Sequence, residues 1–161
     1  MKVAITSPVE PYNPKLTPYL EKHMEEESNH YEWALEDLRC ATDKSESYLT
    51  NTLCAEVLAV PGIAYYQIRN ITPFAVIGYM LALESHPPTV QAISYLQAKT
   101  SLDESAFRTL AIHAEADVGH AAEIYELIDS IKPDDREYCA IRSSLLMTNI
   151  AYGAACRAIL G

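Results

Sequence analysis

Apolar residues recur at helical spacing along most of this chain, and the pattern breaks where proline, glycine or short polar residues cluster. Asp103 to Ile131 contains no proline and one glycine, Gly119, and in it Phe107, Leu110, Ile124, Ile128 and Ile131 mark the buried stripe of an amphipathic helix. An earlier stripe runs Leu16, Leu20, His23, Glu27, His30 (or Tyr31), Ala34 and Leu38, and predicts one long helix to about Cys40. Asn13-Pro14 and Thr17-Pro18 each offer an N-cap followed by a first-turn proline. A second helix is expected from about Ser45 to Val60, with Pro61-Gly62 breaking or kinking it. Ile63 to Ile71 suits helix or strand by pattern and is read as helix, because no partner strand stands out elsewhere. Pro73 opens a compact apolar helix, PFAVIGYMLALES, which His86-Pro87-Pro88 ends. Further helices are expected over about Pro88 to Lys99, over the central segment with Ser101 or Asp103 as its cap, and from Pro133-Asp134-Asp135 to about Leu160. Residues 1–13 read as an extended, proline-containing lead-in. The pattern predicts one all-α domain over residues 1–161, built as a helical bundle.

Two of those stripes carry ionisable residues where leucine or isoleucine is expected. In HAEADVGH the positions are His113, Asp117 and His120; in the first helix they are His23, Glu27 and His30, with the same three-then-two spacing. Positions i, i+4 and i+7 fall within an arc of roughly 60° on a helix. Buried ionisable groups are tolerated mainly when paired or bound to metal. The third helix adds Glu84, the next member of its stripe Phe74, Ile77, Leu81.

Geometry sorts these groups into two sets. His113 and His120 stand about 10 Å apart along a helix axis, too far for one ion but not for two neighbouring ones. A carboxylate and a histidine at i, i+3 readily share an ion. Glu27, His30 and His113 would hold the first ion, and Asp117 and His120 the second, with Glu84 bound there or bridging. His23, one turn before Glu27, either hydrogen-bonds a ligand or replaces one. Mixed imidazole and carboxylate donors favour iron over zinc, which prefers a closed tetrahedral set, and over magnesium, which takes fewer histidines. His86, at a helix end before two prolines, is expected to be exposed.

Composition narrows the partners. A formal charge of −10 argues against nucleic acid. No apolar run approaches membrane-spanning length, and MKVAITSPVEPYNP lacks an apolar signal core, so a cytoplasmic protein is expected. Four cysteines, Cys40, Cys54, Cys139 and Cys156, lack CxxC spacing and read as reduced thiols. Tyr65, Tyr66 and Tyr79 either line a pocket or, as tyrosines at helical spacing more often do, belong to the core.

At the residues just named the sequence resembles the haem-oxygenase-like di-iron oxidases and oxygenases, the iron-containing redox enzymes. The resemblance lies in GYMLALES with Glu84, in HAEADVGH followed by AAEIYELID, and in ESNH, which matches the ExxH of the undecene-forming fatty-acid decarboxylase type. The separations, 57 residues from Glu27 to Glu84 and 29 from Glu84 to His113, are of the same kind. The resemblance covers roughly Glu21 to the C-terminus. It implies an up-and-down haem-oxygenase-like bundle around two iron ions (Fe2+/Fe3+), with O₂ as co-substrate. An amine, an amino acid or a fatty acid would be the substrate. Family chains usually carry one or two more helices before the ExxH helix; the lead-in here is shorter, which implies a more open pocket or a homodimer that covers it.

Two other readings compete. A haem-oxygenase-like relative would need an axial histidine and an apolar slot, and a thiaminase-like one a nucleophilic cysteine beside a base. A non-catalytic module, a metal-binding bundle or a partner protein of the same fold, is the alternative of a different class.

Overall fold

The computed structural model describes residues 1–5, 13–43 and 54–160, and among these it contains helices and no strand. The helices are α1 (Lys2–Ile5), α2 (Leu16–Glu26), α3 (His30–Ala41), α4 (Ala55–Asn70), α5 (Ala75–Glu84), α6 (Val90–Thr100), α7 (Arg108–Ile131) and α8 (Asp135–Leu160), with a 3₁₀ turn at Glu104–Phe107. This is the all-α bundle that the periodicity implies.

The bundle is assembled around α5. Its sequence AVIGYMLALE is apolar on every side, so it is buried on every side: Ala75, Val76, Ile77, Gly78, Met80 and Leu81 are all inside. Its most extensive partner is α8, which also packs on α4. Gly78 makes the α5–α8 approach possible. A Cβ there would overlap the Ile141 carbonyl oxygen and lie 2.8 Å from the Leu145 nitrogen. On other sides of α5, Leu16 and Leu20 of α2, Ile68 of α4, and Ile124 and Leu127 of α7 complete the core.

Side chains cap several of the helix starts. Asn13 Oδ1 accepts from the Lys15 and Leu16 N–H groups at 3.0 and 2.9 Å. Thr89 caps α6 through Ala92 N–H at 3.1 Å, and Asp103 caps the 3₁₀ turn through Ser105 N–H at 3.0 Å. Asp134 and Glu137 form a reciprocal capping box at α8, both bonds 2.8 Å.

The architecture departs from the sequence reading in several places. Part of the extended lead-in is a helical turn, Lys2–Ile5, because Met1, Ala4 and Ile5 dock on the core instead of lying in solvent. The long first helix is two, interrupted at residues 27–29. Pro61 does not break α4, which runs through it. Proline's fixed φ suits a helix, and burial of Ala64, Gln67 and Ile68 beyond it favours continuing. The start expected at Ser45 lies outside the described residues. Leu110, placed in the buried stripe, is 37% exposed. Tyr65 and Tyr66 are exposed too, whereas Tyr79 packs against the core. All four cysteines are free. No helix among the described residues is long and apolar enough to cross a membrane.

Candidate metal centre

Four elements bring ionisable groups to one end of α5: the end of α2, the turn joining α2 to α3, the last residue of α5, and the middle of α7. The turn arises at Glu27-Ser28-Asn29. The Ser28 hydroxyl donates to the Glu25 carbonyl at 2.8 Å, competing with the helical ladder. Ser28 and His30 N–H groups bond three residues back, to Glu25 and Glu27, which tightens the backbone. Glu27 and His30 therefore sit on a tight turn, with His30 Nδ1 2.6 Å from Glu27 Oε2. His30 Nδ1 is buried and makes no hydrogen bond beyond this ionic contact.

Opposite this turn stands His113. Its ring meets the His30 ring edge-on at 4.7 Å, and Glu27, His30 and His113 present donor atoms within 4.8 Å of one another. His113 Nδ1 is 2.8 Å from the Thr109 carbonyl, which can only accept, so Nδ1 carries the proton and Nε2 offers a lone pair.

The second group surrounds Glu84. His23 Nε2 lies 3.1 Å from Glu84 Oε1, and His120 Nδ1 lies 3.6 Å from Glu84 Oε2 and 3.7 Å from Asp117 Oδ1. His23, Glu26 and His120 also present donor atoms within 4.8 Å of one another. Asp117 and His23 are 3% and 1% exposed. Burial pushes the Asp117 carboxyl above its ordinary pKa; the nearby charges of Glu84 and Glu27 add to this, while His113 and His120 oppose it. Burial alone would depress His23, but the hydrogen bond and charge of Glu84, with Glu27 and Glu26 behind it, raise it instead.

The six residues assigned to metal from sequence thus stand in two adjacent groups, Glu27/His30/His113 and Glu84/Asp117/His120. His23 belongs spatially with the second. His86 is exposed, as expected, but stands at the edge of a cavity of about 410 Å³ whose wall includes His113, Asp117, Leu110 and Tyr152. A larger hollow of about 720 Å³ lies between α6 and α7, and none of the candidate ligands lines it.

Two residues were missed. Glu26 lies three residues after His23, so helical spacing alone places it near that face. Asp37 is buried on α3, and its Oδ2 accepts the Thr109 N–H at 2.7 Å, capping the start of α7. Its spacing from His30, seven residues, was the available signal.

Does this donor set suit a metal? Five buried atoms without a hydrogen-bond partner converge here: His23 Nδ1, His30 Nδ1, Glu84 Oε2, Asp117 Oδ1 and His120 Nδ1. Leaving such atoms unsatisfied costs about 1–3 kcal/mol each. Donors on one six-coordinate ion with bonds of about 2.1 Å stand about 3.0 Å apart when cis and about 4.2 Å when trans. The gaps of 3.1, 3.6 and 3.7 Å around Glu84 lie in that interval. Nitrogen and oxygen donors of this kind suit iron.

The sequence model of the iron-containing redox enzymes matches residues 17–148. The chain belongs to that family. The match takes in every candidate ligand, from His23 to His120, and the all-α bundle is the haem-oxygenase-like fold of these enzymes. No curated protein and no solved structure gives a significant match to the chain.

Proposed function

We propose that this iron-containing redox enzyme is a non-haem di-iron oxidase or oxygenase that uses O₂ to oxidise a small amine, amino acid or fatty acid. The observation that carries the reading is the convergence of unpartnered imidazole and carboxylate atoms at one end of a buried helix, with Glu27, His30 and His113 on one side and Glu84, Asp117 and His120 around His23 on the other. Glu27, His30 and His113 would hold one iron, and Glu84, Asp117 and His120 the other, with Glu84 placed to touch both neighbouring histidines. When bound, iron supplies the electrons for reducing O₂.

The chain's own part is positional. The tight turn at residues 27–29 aims Glu27 and His30 together at α7. The Thr109 carbonyl fixes the His113 tautomer so that Nε2 remains a donor. Substrate would enter the cavity beside His113 and Asp117, where Leu83, Leu110 and Pro88 offer apolar contact and Asn149 and Tyr152 offer hydrogen bonds.

The test is anaerobic loading with Fe(II) followed by O₂, read as oxygen consumption and optical change with an amine, an amino acid and a fatty acid in turn. The wild type is expected to bind two ions and to consume O₂ with one of these classes. His120→Ala should lose one ion while its helical circular dichroism persists. Two ions bound without any O₂ consumption would favour a non-catalytic metal-binding bundle; two ions bound in His120→Ala would remove that residue from the site.

A further inference from the structure

We propose that His23 is itself a ligand of the second metal position, bound through Nε2 with Glu26 as its outer carboxylate, which makes the two positions unequal. This rests on the reading of the centre as a metal site. His23, Glu84, Asp117 and His120 would surround one ion, and Glu27, His30 and His113 the other.

His23 cannot turn away to solvent. It is 1% exposed, on the same stripe as Leu16 and Leu20, which are buried. Tyr19 stacks on its ring at 5.9 Å and the His120 ring meets it edge-on at 5.1 Å. Its Nε2 is 3.1 Å from Glu84 Oε1. As a neutral hydrogen-bond donor, His23 would spend its one proton on Glu84 and leave Nδ1 as a buried acceptor without a hydrogen-bond partner. Nδ1 has no hydrogen-bond partner, and the carboxylate it faces, Glu26 Oε2, is 4.0 Å away. An acceptor lone pair aimed at a carboxylate is repelled.

With a cation between Nε2 and Glu84, the opposite tautomer turns the Nε2 lone pair from a repelled group into a ligand and points the Nδ1 proton toward the Glu26 carboxylate, 4.0 Å away. With its proton on Nδ1, facing Glu26, His23 offers the Nε2 lone pair toward the point that Glu84 and His120 also face. Histidines bound to metal commonly donate their other N–H to a carboxylate or carbonyl in this way. His113 shows the hydrogen-bonded form of this arrangement on the other side of the centre, its Nδ1 2.8 Å from the Thr109 carbonyl; Glu26 stands farther from His23, at 4.0 Å. Glu26 is itself anchored, 3.4 Å from Lys22, which pairs with Glu123 at 2.8 Å.

Inequality follows from the donor count. Two carboxylates, Glu84 and Asp117, neutralise a divalent ion at the position that includes His23. Glu27 alone leaves the other position with a net positive charge and fewer protein donors. The first position therefore fills last and exchanges its ion more readily.

The experiment titrates the metal-free full chain with Co(II) under anaerobic conditions. It follows the visible ligand-field bands and, by NMR, exchangeable imidazole protons shifted by the paramagnetic ion. Wild type is expected to bind in two unequal steps. His23→Ala should weaken the tighter step by at least about tenfold, the scale of losing a group that supports a metal ion. His23→Gln keeps an N–H donor for Glu84, so it separates ligation from hydrogen bonding and does not depend on the alanine variant folding. It is expected to weaken the tighter step too, to change its visible bands and to lose one shifted imidazole proton. Wild-type affinity and spectrum in His23→Gln would overturn the proposal and make His23 a hydrogen-bond partner. Absence of any Co(II) uptake by wild type would overturn the centre itself.

Discussion

Replacing Gly78 with alanine tests whether the close approach of α5 to α8 also sets the position of Glu84. The added Cβ would collide with the Ile141 carbonyl oxygen and stand 2.8 Å from Leu145 N and 2.9 Å from Ser144 Cβ. Ordinary contact begins at about 3.4 Å, so the shortfall at Leu145 alone is about 0.6 Å. The atoms met are mostly backbone and cannot rotate aside; α5 must withdraw from α8. Overpacking of this kind costs about 1–3 kcal/mol and occasionally more, against a gain of about 0.5–1 kcal/mol from removing a helical glycine. A net loss of about 1 kcal/mol, the middle of the resulting range, lowers Tm by roughly 2–4 °C in a domain of this size. Because Glu84 ends the same helix, metal affinity should fall with stability. Gly62→Ala and Gly119→Ala are the controls, since nothing lies within 4 Å of a Cβ at either position, and each should hold or raise Tm. Thermal melts followed by circular dichroism decide it. A Gly78→Ala protein as stable as its Gly62→Ala counterpart would refute the packing argument.

Three further outcomes are expected. Asp37→Ala removes the acceptor for the Thr109 N–H and should cost about 1 kcal/mol by chemical denaturation, with Asp37→Asn recovering most of it; equal effects of the two would count against a capping role. The Tyr19 hydroxyl is raised well above its ordinary pKa by burial, then by Glu84, Glu123 and Glu26. The folded state therefore keeps a proton that the unfolded chain releases above about pH 10, and stability should fall as pH rises beyond that point. Tyr19→Phe should fall less steeply in alkaline urea titrations, and an unchanged slope would contradict the assignment. Fe(II) at a hundred times its Kd should stabilise the metal-free protein by about 2.7 kcal/mol, a Tm rise of roughly 5–11 °C that a chelator reverses; no rise would mean that the folded state does not bind iron preferentially.

The elements were legible where periodicity and punctuation agreed. PFAVIGYMLALES announced a compact apolar helix, and Pro133-Asp134-Asp135 marked the start of α8. The candidate ligands were visible for a related reason: charged groups at stripe positions contradict the pattern around them. Less legible were features decided across the fold. Pro61 reads locally as a break, yet packing of Ala64, Gln67 and Ile68 carries α4 through it. The Glu27-Ser28-Asn29 interruption rests on a serine hydroxyl and i+3 bonds that periodicity does not register. Asp37 caps a helix that begins 71 residues later, and no local pattern shows such a partner. In sequence His23 reads as a group that hydrogen-bonds a ligand or replaces one, and only the arrangement of Tyr19, Glu26, Glu84 and His120 around it distinguishes its two nitrogens.

The central claim is that α5, α7, the end of α2 and the α2–α3 turn aim their donors at two adjacent cations. Anomalous scattering measured at the iron edge, on crystals soaked anaerobically with Fe(II), tests it directly. Two neighbouring peaks are predicted, one among Glu27, His30 and His113 and one among His23, Glu84, Asp117 and His120. Peaks confined to the protein surface, or Glu84 and Asp117 turned away from any peak, would contradict it.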